Sequence, residues 1–553
     1  MRNIKNYLLY ITILIIGIQC ARTGSPTGGE QDKTPPVVVS TNPPSHSVNF
    51  KGNRIRLYFD EYVMLKDVRK QLIISPPINN FPEIIPSGNA SKVIEIRITD
   101  TLKPNTTYTL NFGNSIQDNN EGNPLPFYKY VFSTGDVIDS LSVKGRINDA
   151  LTRKPDTYVN VMLYEVNQAL TDSIVYKEKP MYITNTLDSL QTFEITNVKA
   201  GKYMLVAMKD KATNYLFDQK QDKIAFLKDT ISVPTDTIYE LALFKEIPNN
   251  RTARPYHSGE KRIGIGYEGE RDSLKISVLP PVPDNFSYVI SKEPQKDTLN
   301  FWFSPKIEDS IRLVIRNQKI DTFRVNFRKL KKDTLQISTQ NKTISPVEEI
   351  LTFTSNIPIV KYDLERIVVT SVADSTQIPF TSEMDSDKLN LQIKLTTKPE
   401  SKYKIVAYPN ALTDFYEHTN DTLQVQITSK SEADFATLKL TINKEMYFPI
   451  LVELTNEKGD KVEYQKYIEN QQPQYTFDFV KAGKYFVRII EDRNRNKKWD
   501  TGNYLQRLQP EKVYHLPKEI DLRPNWEVSE TYNGELLPTE QEKKKAQQNN
   551  KKK

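Results

Sequence analysis

Val198-Lys199-Ala200-Gly201-Lys202-Tyr203 returns, residue for residue, as Val480-Lys481-Ala482-Gly483-Lys484-Tyr485, 282 positions later. Six consecutive identities at one offset mark a duplicated structural unit. The same offset pairs Asp210 with Asp492, Asn214 with Asn496, Phe217 with Trp499 and Asp218 with Asp500. An earlier block echoes too. Leu102-Lys103-Pro104-Asn105-Thr106-Thr107-Tyr108 resembles Thr397-Lys398-Pro399-Glu400-Ser401-Lys402-Tyr403, and Ile116-Gln117-Asp118 resembles Leu412-Thr413-Asp414. The pattern is a duplicated pair of unlike units with an extra unit between the copies. It predicts domains at 36–137, 138–247, 248–338, 339–435 and 436–536, each the size of one sandwich.

Outward from the repeat, the chain from Pro36 shows no long stretch of helical period. Short alternating runs recur instead: IRLYF, VIEIRI, TYTLNF, LKISV, LNFWF, LQIKL and KYFVRII, separated by Pro, Gly, Asn and Asp. Alternation of that length between turn residues is the signature of half-buried strands, so the expected fold is all-β, a tandem of sandwiches. Asp followed by Ser or Thr and an apolar residue recurs at Asp100, Asp139, Asp172, Asp188, Asp229, Asp236, Asp272, Asp297, Asp309, Asp321, Asp333 and Asp421. These read as turn residues that open strands, because a short carboxylate can accept the backbone N–H groups just ahead of it.

A chain of 553 residues needs several cores. With 38% hydrophobic residues and 10% aromatic ones it has the means to build them, which excludes global disorder. A mean hydropathy of −0.56 excludes a polytopic membrane protein. The net charge of +7 is 76 basic minus 69 acidic residues, and Lys543 to Lys553 alone holds six lysines and no acid. Without that tail the charge is about +1, too little for the basic surface that nucleic acid requires. Residues 537–553 are expected to be a basic, disordered tail.

Arg2 and Lys5 precede the apolar run Tyr7 to Ile18, and Cys20, the chain's one cysteine, follows at once. The run is too short to span a membrane and has signal-peptide grammar. It resembles a bacterial lipoprotein signal. That implies a signal peptide at 1–19, lipidation of Cys20, a flexible tether at 20–35 and attachment to the outer membrane through the lipid. With Cys20 so used, no disulfide is possible, and apolar packing alone must hold each domain.

The 36–137 unit carries Thr34-Pro35-Pro36-Val37-Val38, Asn42-Pro43-Pro44, Ile55 to Val63, Ile74-Ser75-Pro76-Pro77 and Tyr130-Val131-Phe132-Ser133-Thr134-Gly135. It resembles the bacterial Ig-like domain near the N-terminus of Bacteroidota-type lipoproteins, and 339–435 is a fainter copy. The 138–247 and 436–536 units resemble the transthyretin-like, Cna-B-type sandwich, with Lys144-Gly145-Arg146-Ile147 and Val159 to Tyr164 as the opening hairpin and Val198 to Tyr203 as the turn before a central strand. In that reading Gly201 and Gly483 serve the turn through positive φ. The resemblance implies spacers, stalks or binding modules rather than enzymes.

The chemistry-bearing residues support the same view. His46, His257, His418 and His515 are scattered, no phosphate loop or nucleophile elbow is present, and no enzyme activity is expected. A candidate metal site is Asp492, Asn494, Asn496 and Asp500, oxygen donors at positions 1, 3, 5 and 9 of the rhythm that Ca²⁺ favours. Lys497 stands where that rhythm has Gly and Asn503 where it has Glu; the first copy, Asp210, Asn214, Asp218 and Asp222, has Ala212 at position 3. The competing reading makes these Asx residues turn-formers, anchored on the core by Phe217 or Trp499. Trp302, Trp499, Tyr504 and Trp526 are aromatics that could stack on sugars or fill cores. The expected protein is a non-catalytic outer-membrane lipoprotein, a scaffold or binding module with an envelope protein or glycan partner, no nucleic acid and no small-molecule substrate. The alternatives are a Ca²⁺-dependent carbohydrate-binding or adhesive surface protein, or an accessory subunit of an outer-membrane assembly or transport complex.

Overall fold

Each of the alternating runs lies on a β-strand in the computed structural model, which describes residues 32–168, 171–186, 191–317, 319–340, 343–344 and 350–538. The signal peptide, Cys20 and the lysine-rich end fall outside the described residues. Among those described, the α-helices are two four-residue turns, Val68–Gln71 and Ile174–Lys177. The protein is all-β. It divides between Ser140 and Leu141 into two compact units.

In the first unit, strands Val38–Asn42, Arg54–Leu65, Ser91–Arg97 and Glu83–Ile85 form one sheet, and Ile73–Ser75, Thr107–Asn111 and Lys129–Ser133 form the other. Ile55, Leu57 and Phe59 alternate inward from Arg54–Leu65 to meet Leu110, Phe112, Tyr130 and Phe132. After Tyr58 the register shifts, and the far end of this strand pairs with Ile116–Asp118. Tyr108 closes one corner: its Oη accepts the Lys103 N–H at 2.9 Å, and Thr106 Oγ1 donates to the Pro104 carbonyl.

The second unit holds four sandwiches in chain order, numbered here second to fifth. The second and fifth share one design. In the second, Tyr182–Asn185, Asn160–Glu165, Gly201–Lys209 and Lys223–Phe226 face Thr192–Val198, Leu141–Asp149 and Ile238–Leu243. In the fifth, Val462–Ile468, Ile450–Thr455, Gly483–Glu491 and Val513–His515 face Tyr475–Lys481, Phe435–Ile442 and Glu527–Tyr532. In both, the last strand pairs in parallel with the first. The repeated hexapeptide does the same work twice: Tyr203 Oη donates to Lys199 O at 2.8 Å and Tyr485 Oη to Lys481 O at 2.9 Å. The expectation of positive φ at Gly201 and Gly483 fails, since neither is left-handed. Each opens a strand beneath the ring of the tyrosine two residues on, and a Cβ there would lie 3.4 Å from that ring system.

The third sandwich gathers Ile263, Ile265, Phe301, Phe303, Leu313 and Ile315 between its sheets. The fourth gathers Leu351, Phe353, Ile393, Ile405 and Ile427, and its corner copies the first unit's: Tyr403 Oη accepts Lys398 N–H at 2.6 Å, and Ser401 Oγ donates to the Pro399 carbonyl. Between these two, Tyr416 sets its ring edge-on to the buried Trp302 at 6.2 Å, and Arg271 grips Asp387 with both Nη atoms at 2.9 and 2.6 Å. Half of the Asp-Ser/Thr marks open strands, namely Asp139, Asp229, Asp236, Asp297, Asp309 and Asp421; Asp172 precedes the helical turn Ile174–Lys177, Asp272 lies in the turn Arg271–Ser273, Asp321 lies inside Ile320–Asn326, and Asp188 falls outside the described residues.

Candidate functional site

The two Asx loops are continuous with the contact between the second and fifth sandwiches. The central strand of the second, Gly201–Lys209, buries both of its faces: Tyr203, Leu205 and Ala207 point into the sandwich core, while Met204, Val206 and Met208 are buried on the opposite side. A strand covered on both faces reads as an unbroken apolar run, and GKYMLVAMK is one. What covers the outer face is the loop after Asp492. Tyr504 is fully buried, edge-on to Phe226 with centroids 5.3 Å apart and 6.3 Å from Tyr176, and its Oη lies 3.3 Å from Met204 Sδ. Burial pushes its phenol up to about 12.

Polar contacts frame that aromatic insert. Thr501 Oγ1 donates to Lys245 O at 2.7 Å, Gln509 Nε2 to Phe226 O at 2.8 Å, and Arg507 Nη2 pairs with Asp172 at 3.0 Å. The Tyr504 N–H donates to Glu246, whose other oxygen accepts Gln219 Nε2 at 2.7 Å; burial raises the Glu246 carboxyl above its ordinary value. Gly502 is dictated by space, since a Cβ would come 2.6 Å from Leu508 O and 2.7 Å from the Phe244 ring.

The second sandwich inserts a loop of its own in return. Arg153 lays its guanidinium over the Phe486 ring at 4.4 Å and donates to the Leu516 and Pro517 carbonyls, the latter at 2.7 Å. Arg488, paired with Glu453 at 2.6 Å in a buried ion pair, donates to Gly459 O and Leu151 O. The inserted loop is pre-shaped: Asp149 Oδ1 accepts the Leu151 and Thr152 N–H groups, and Lys223 bridges Asp149 and Asp156 at 2.6 and 2.7 Å. These charge pairs lie within one sandwich each and hold the two loops in shape; what crosses the seam is Arg153 on Phe486 and its carbonyl hydrogen bonds, and Arg488 on Leu151 O.

The structure brings Asp492, Asn494, Asn496 and Asp500 together in one loop, with their oxygens engaged by N–H groups. Asp492 accepts from the Asn496 and Lys497 backbones at 3.1 and 2.8 Å, and Asp500 Oδ2 accepts both Asn494 and Asn496 side-chain amides at 2.6 Å. Glu511, absent from the sequence-based set, accepts the Arg493 and Asp500 N–H groups at 2.7 and 3.1 Å and is raised by burial. In the first copy Asp222 accepts Lys211 and Asp218 N–H, and Asp210 accepts Tyr215 N–H. Phe217 is buried beside Tyr176, and Trp499 donates Nε1 to Glu511 O. No group of three or more His, Cys, Asp or Glu suited to a metal occurs among the described residues.

Of the candidate aromatics, Trp302 and Tyr504 are buried at contacts between sandwiches, while Trp526 is 51% exposed with Arg523 stacked on it at 5.0 Å. The histidines do not converge: His418 pairs with Asp414 at 2.9 Å within a turn, and His257 accepts Arg328 N–H at 3.2 Å. No catalytic site is evident among the described residues.

Residues 32–134 match the family model of the bacterial Ig-like domain, so the first sandwich is Ig-like. No curated protein matches the chain. Among solved structures the chain is similar to domains 1–6 of the surface layer protein SbsC, at 10% identity over 88% of this chain and 67% of that one, with a TM-score of 0.15. It is also similar to the N-terminal four Ig domains of Dscam1 isoform 6.9, at 9% identity over 91% of this chain and 100% of that one, TM-score 0.15. A third is native alpha-2-macroglobulin from Escherichia coli, at 12% identity over 53% of this chain and 97% of that one, TM-score 0.14.

Proposed function

We infer that the protein is a non-catalytic lipoprotein of the outer membrane, anchored through Cys20 and serving as a rigid multidomain β-sandwich scaffold for a partner in the cell envelope. The observation that carries this reading is the joint between the second and fifth sandwiches. Their reciprocal inserts, Tyr504 on Phe226 and Arg153 on Phe486, tie together two segments separated by the third and fourth sandwiches. A chain closed on itself this way holds the intervening sandwiches in place, which suits presentation of a surface and not a flexible stalk. The parallel closing strands and tyrosine-anchored turns of the second and fifth sandwiches support their transthyretin-like, Cna-B-type assignment.

A protein partner is favoured over a glycan. Exposed Val360, Tyr362, Leu364 and Tyr408 lie on neighbouring segments of the fourth sandwich, and such a group would serve a protein contact if it forms one continuous apolar patch. The test is affinity isolation of the tagged protein from gently solubilised membranes, with Cys20→Ala as control. A stoichiometric membrane-protein partner lost in the control supports the scaffold, or an accessory subunit of an envelope complex. Recovery of the protein alone from both would overturn it and leave a glycan or surface ligand to be sought on arrays with and without Ca²⁺.

A further inference from the structure

Behind the Arg153 loop, the joint holds a partly open pocket of about 100 Å³. Arg146, Asn148, Asp149 and Arg153 line it from the second sandwich, His515 and Glu535 from the fifth side. Arg146 donates Nη2 to Leu537 O at 2.8 Å, and its buried Nε has no protein partner. Both ring nitrogens of His515 are also buried and without one. Such groups are unfavourable unless something accepts from them.

The acids nearby are already committed. Asp149 is held by the Leu151 and Thr152 N–H groups and by Lys223, Glu535 accepts from Asn533 at 3.0 and 2.9 Å, and Arg488 is paired with Glu453. Arg153 gives its donors to carbonyls, and burial lowers it from its ordinary value against the pull of Glu457 and Glu519. The charges on the wall balance, Arg146 and Arg153 against Asp149 and Glu535; what lacks a partner is the pair of buried groups, Arg146 Nε–H and the His515 ring. Burial first, then Arg153 and Arg488, push His515 down to about 3, with Asp149 opposing them.

We propose that this cavity binds a small oxyanion, phosphate-like or carboxylate-like, held by Arg146 Nε–H and a His515 ring N–H and linking the second sandwich to the fifth. The volume holds several water-sized centres, which suits an anion of about five heavy atoms. Arg146 lies on Leu141–Asp149 and His515 on Val513–His515, so an anion touching both closes the joint from inside. Negative charge beside the imidazole favours its protonated form, so binding takes up a proton and strengthens as the pH falls.

The full chain is heated in sodium phosphate, sulfate or acetate and in sodium chloride of equal ionic strength, at pH 6 and pH 8, while ring-proton NMR follows His515. Expected is a rise of several degrees in the unfolding temperature with one of the oxyanions and not with chloride, larger at pH 6, together with a shift of the His515 signal. Arg146→Met and His515→Leu should each weaken the response about tenfold, the loss of one charge-assisted hydrogen bond. Phosphate and sulfate against acetate distinguishes the two chemistries. Equal unfolding temperatures in every salt with an unmoved His515 signal, read on the unmutated protein, would mean that the cavity holds only water and would overturn the proposal.

Discussion

Glu246, just past the last strand of the second sandwich, accepts the backbone N–H of Tyr504, a pairing that spans 258 residues of sequence. Around it the Tyr504 ring fills the space between Phe226, Tyr176 and Met204. Removing a fully buried aromatic costs about 3–5 kcal/mol, and here the loss falls on the joint and spares the cores. Tyr504→Ala is expected to lower the unfolding temperature and to split the calorimetric transition of the second unit. A single, unshifted transition would show that the insert contributes nothing to the joint.

Gly502 offers a sharper probe, because the side chain to be added is one methyl group. Its Cβ would meet the Leu508 carbonyl and the Phe244 ring, both closer than 3.0 Å and one of them backbone. Overpacking of this kind costs about 1–3 kcal/mol. Gly502→Ala should destabilise by that amount in a urea titration, while Gly266→Ala, whose Cβ would sit 3.4 Å from Ala253 Cβ, changes little. Equal effects of the two would contradict the close approach.

Tyr108 and Tyr403 close equivalent corners in separate compact units. Replacing either by Phe removes one acceptor from a backbone N–H, a change of about 1 kcal/mol. Tyr108→Phe is expected to lower only the transition of the first unit and Tyr403→Phe only that of the second. Calorimetry of both single variants and of the double variant checks the assignment, and the two losses should add.

The strands and the repeat were legible because each rests on local chemistry. IRLYF alternates since Ile55, Leu57 and Phe59 face a core and Arg56 and Tyr58 do not. The echo of Lys103 to Tyr108 in Lys398 to Tyr403 survives as the same hydrogen bonds. The joint was not legible. Met204 and Phe226 look like ordinary core residues, and no spacing rule connects them to Tyr504. One signal was available: strands such as GKYMLVAMK and NVMLYE are too continuously apolar for a sheet with one wet face, so something had to cover the second face. The role given to Gly201 and Gly483 failed because neither has positive φ, and a Cβ at either would meet the tyrosine two residues on at ordinary contact distance, so nothing in the structure explains the glycine.

The Asp492 loop makes a prediction about calcium. Its carboxylates accept N–H groups from the loop itself, so the loop is shaped by turn hydrogen bonds without a cation. Asp492→Ala is expected to cost about 1–3 kcal/mol through the N–H groups left unpaired, and to cost the same in calcium as in chelator. A larger loss in calcium than in chelator would support the metal-binding reading of Asp492, Asn494, Asn496 and Asp500.

The pH response of the joint has a definite sign. His515 is depressed from 6.5 to about 3 by burial and by the Arg153 and Arg488 guanidiniums, with Asp149 opposing them. A base that binds its proton less readily in the folded state leaves stability intact above pH 6.5 and erodes it as the pH falls from there towards 3. Glu246 and Asp210, both raised by burial, act in the opposite sense, so the histidine's part is read as the difference between the unmutated protein and His515→Leu. In chloride buffers the histidine should cost the second unit about 0.7 kcal/mol per pH unit at pH 6.5, rising towards about 1.4 at pH 5 as the unfolded imidazole fills with its proton, with His515→Leu removing that part of the slope. Urea midpoints at half-unit intervals measure it, and a slope unchanged by the substitution would place the titrating group elsewhere.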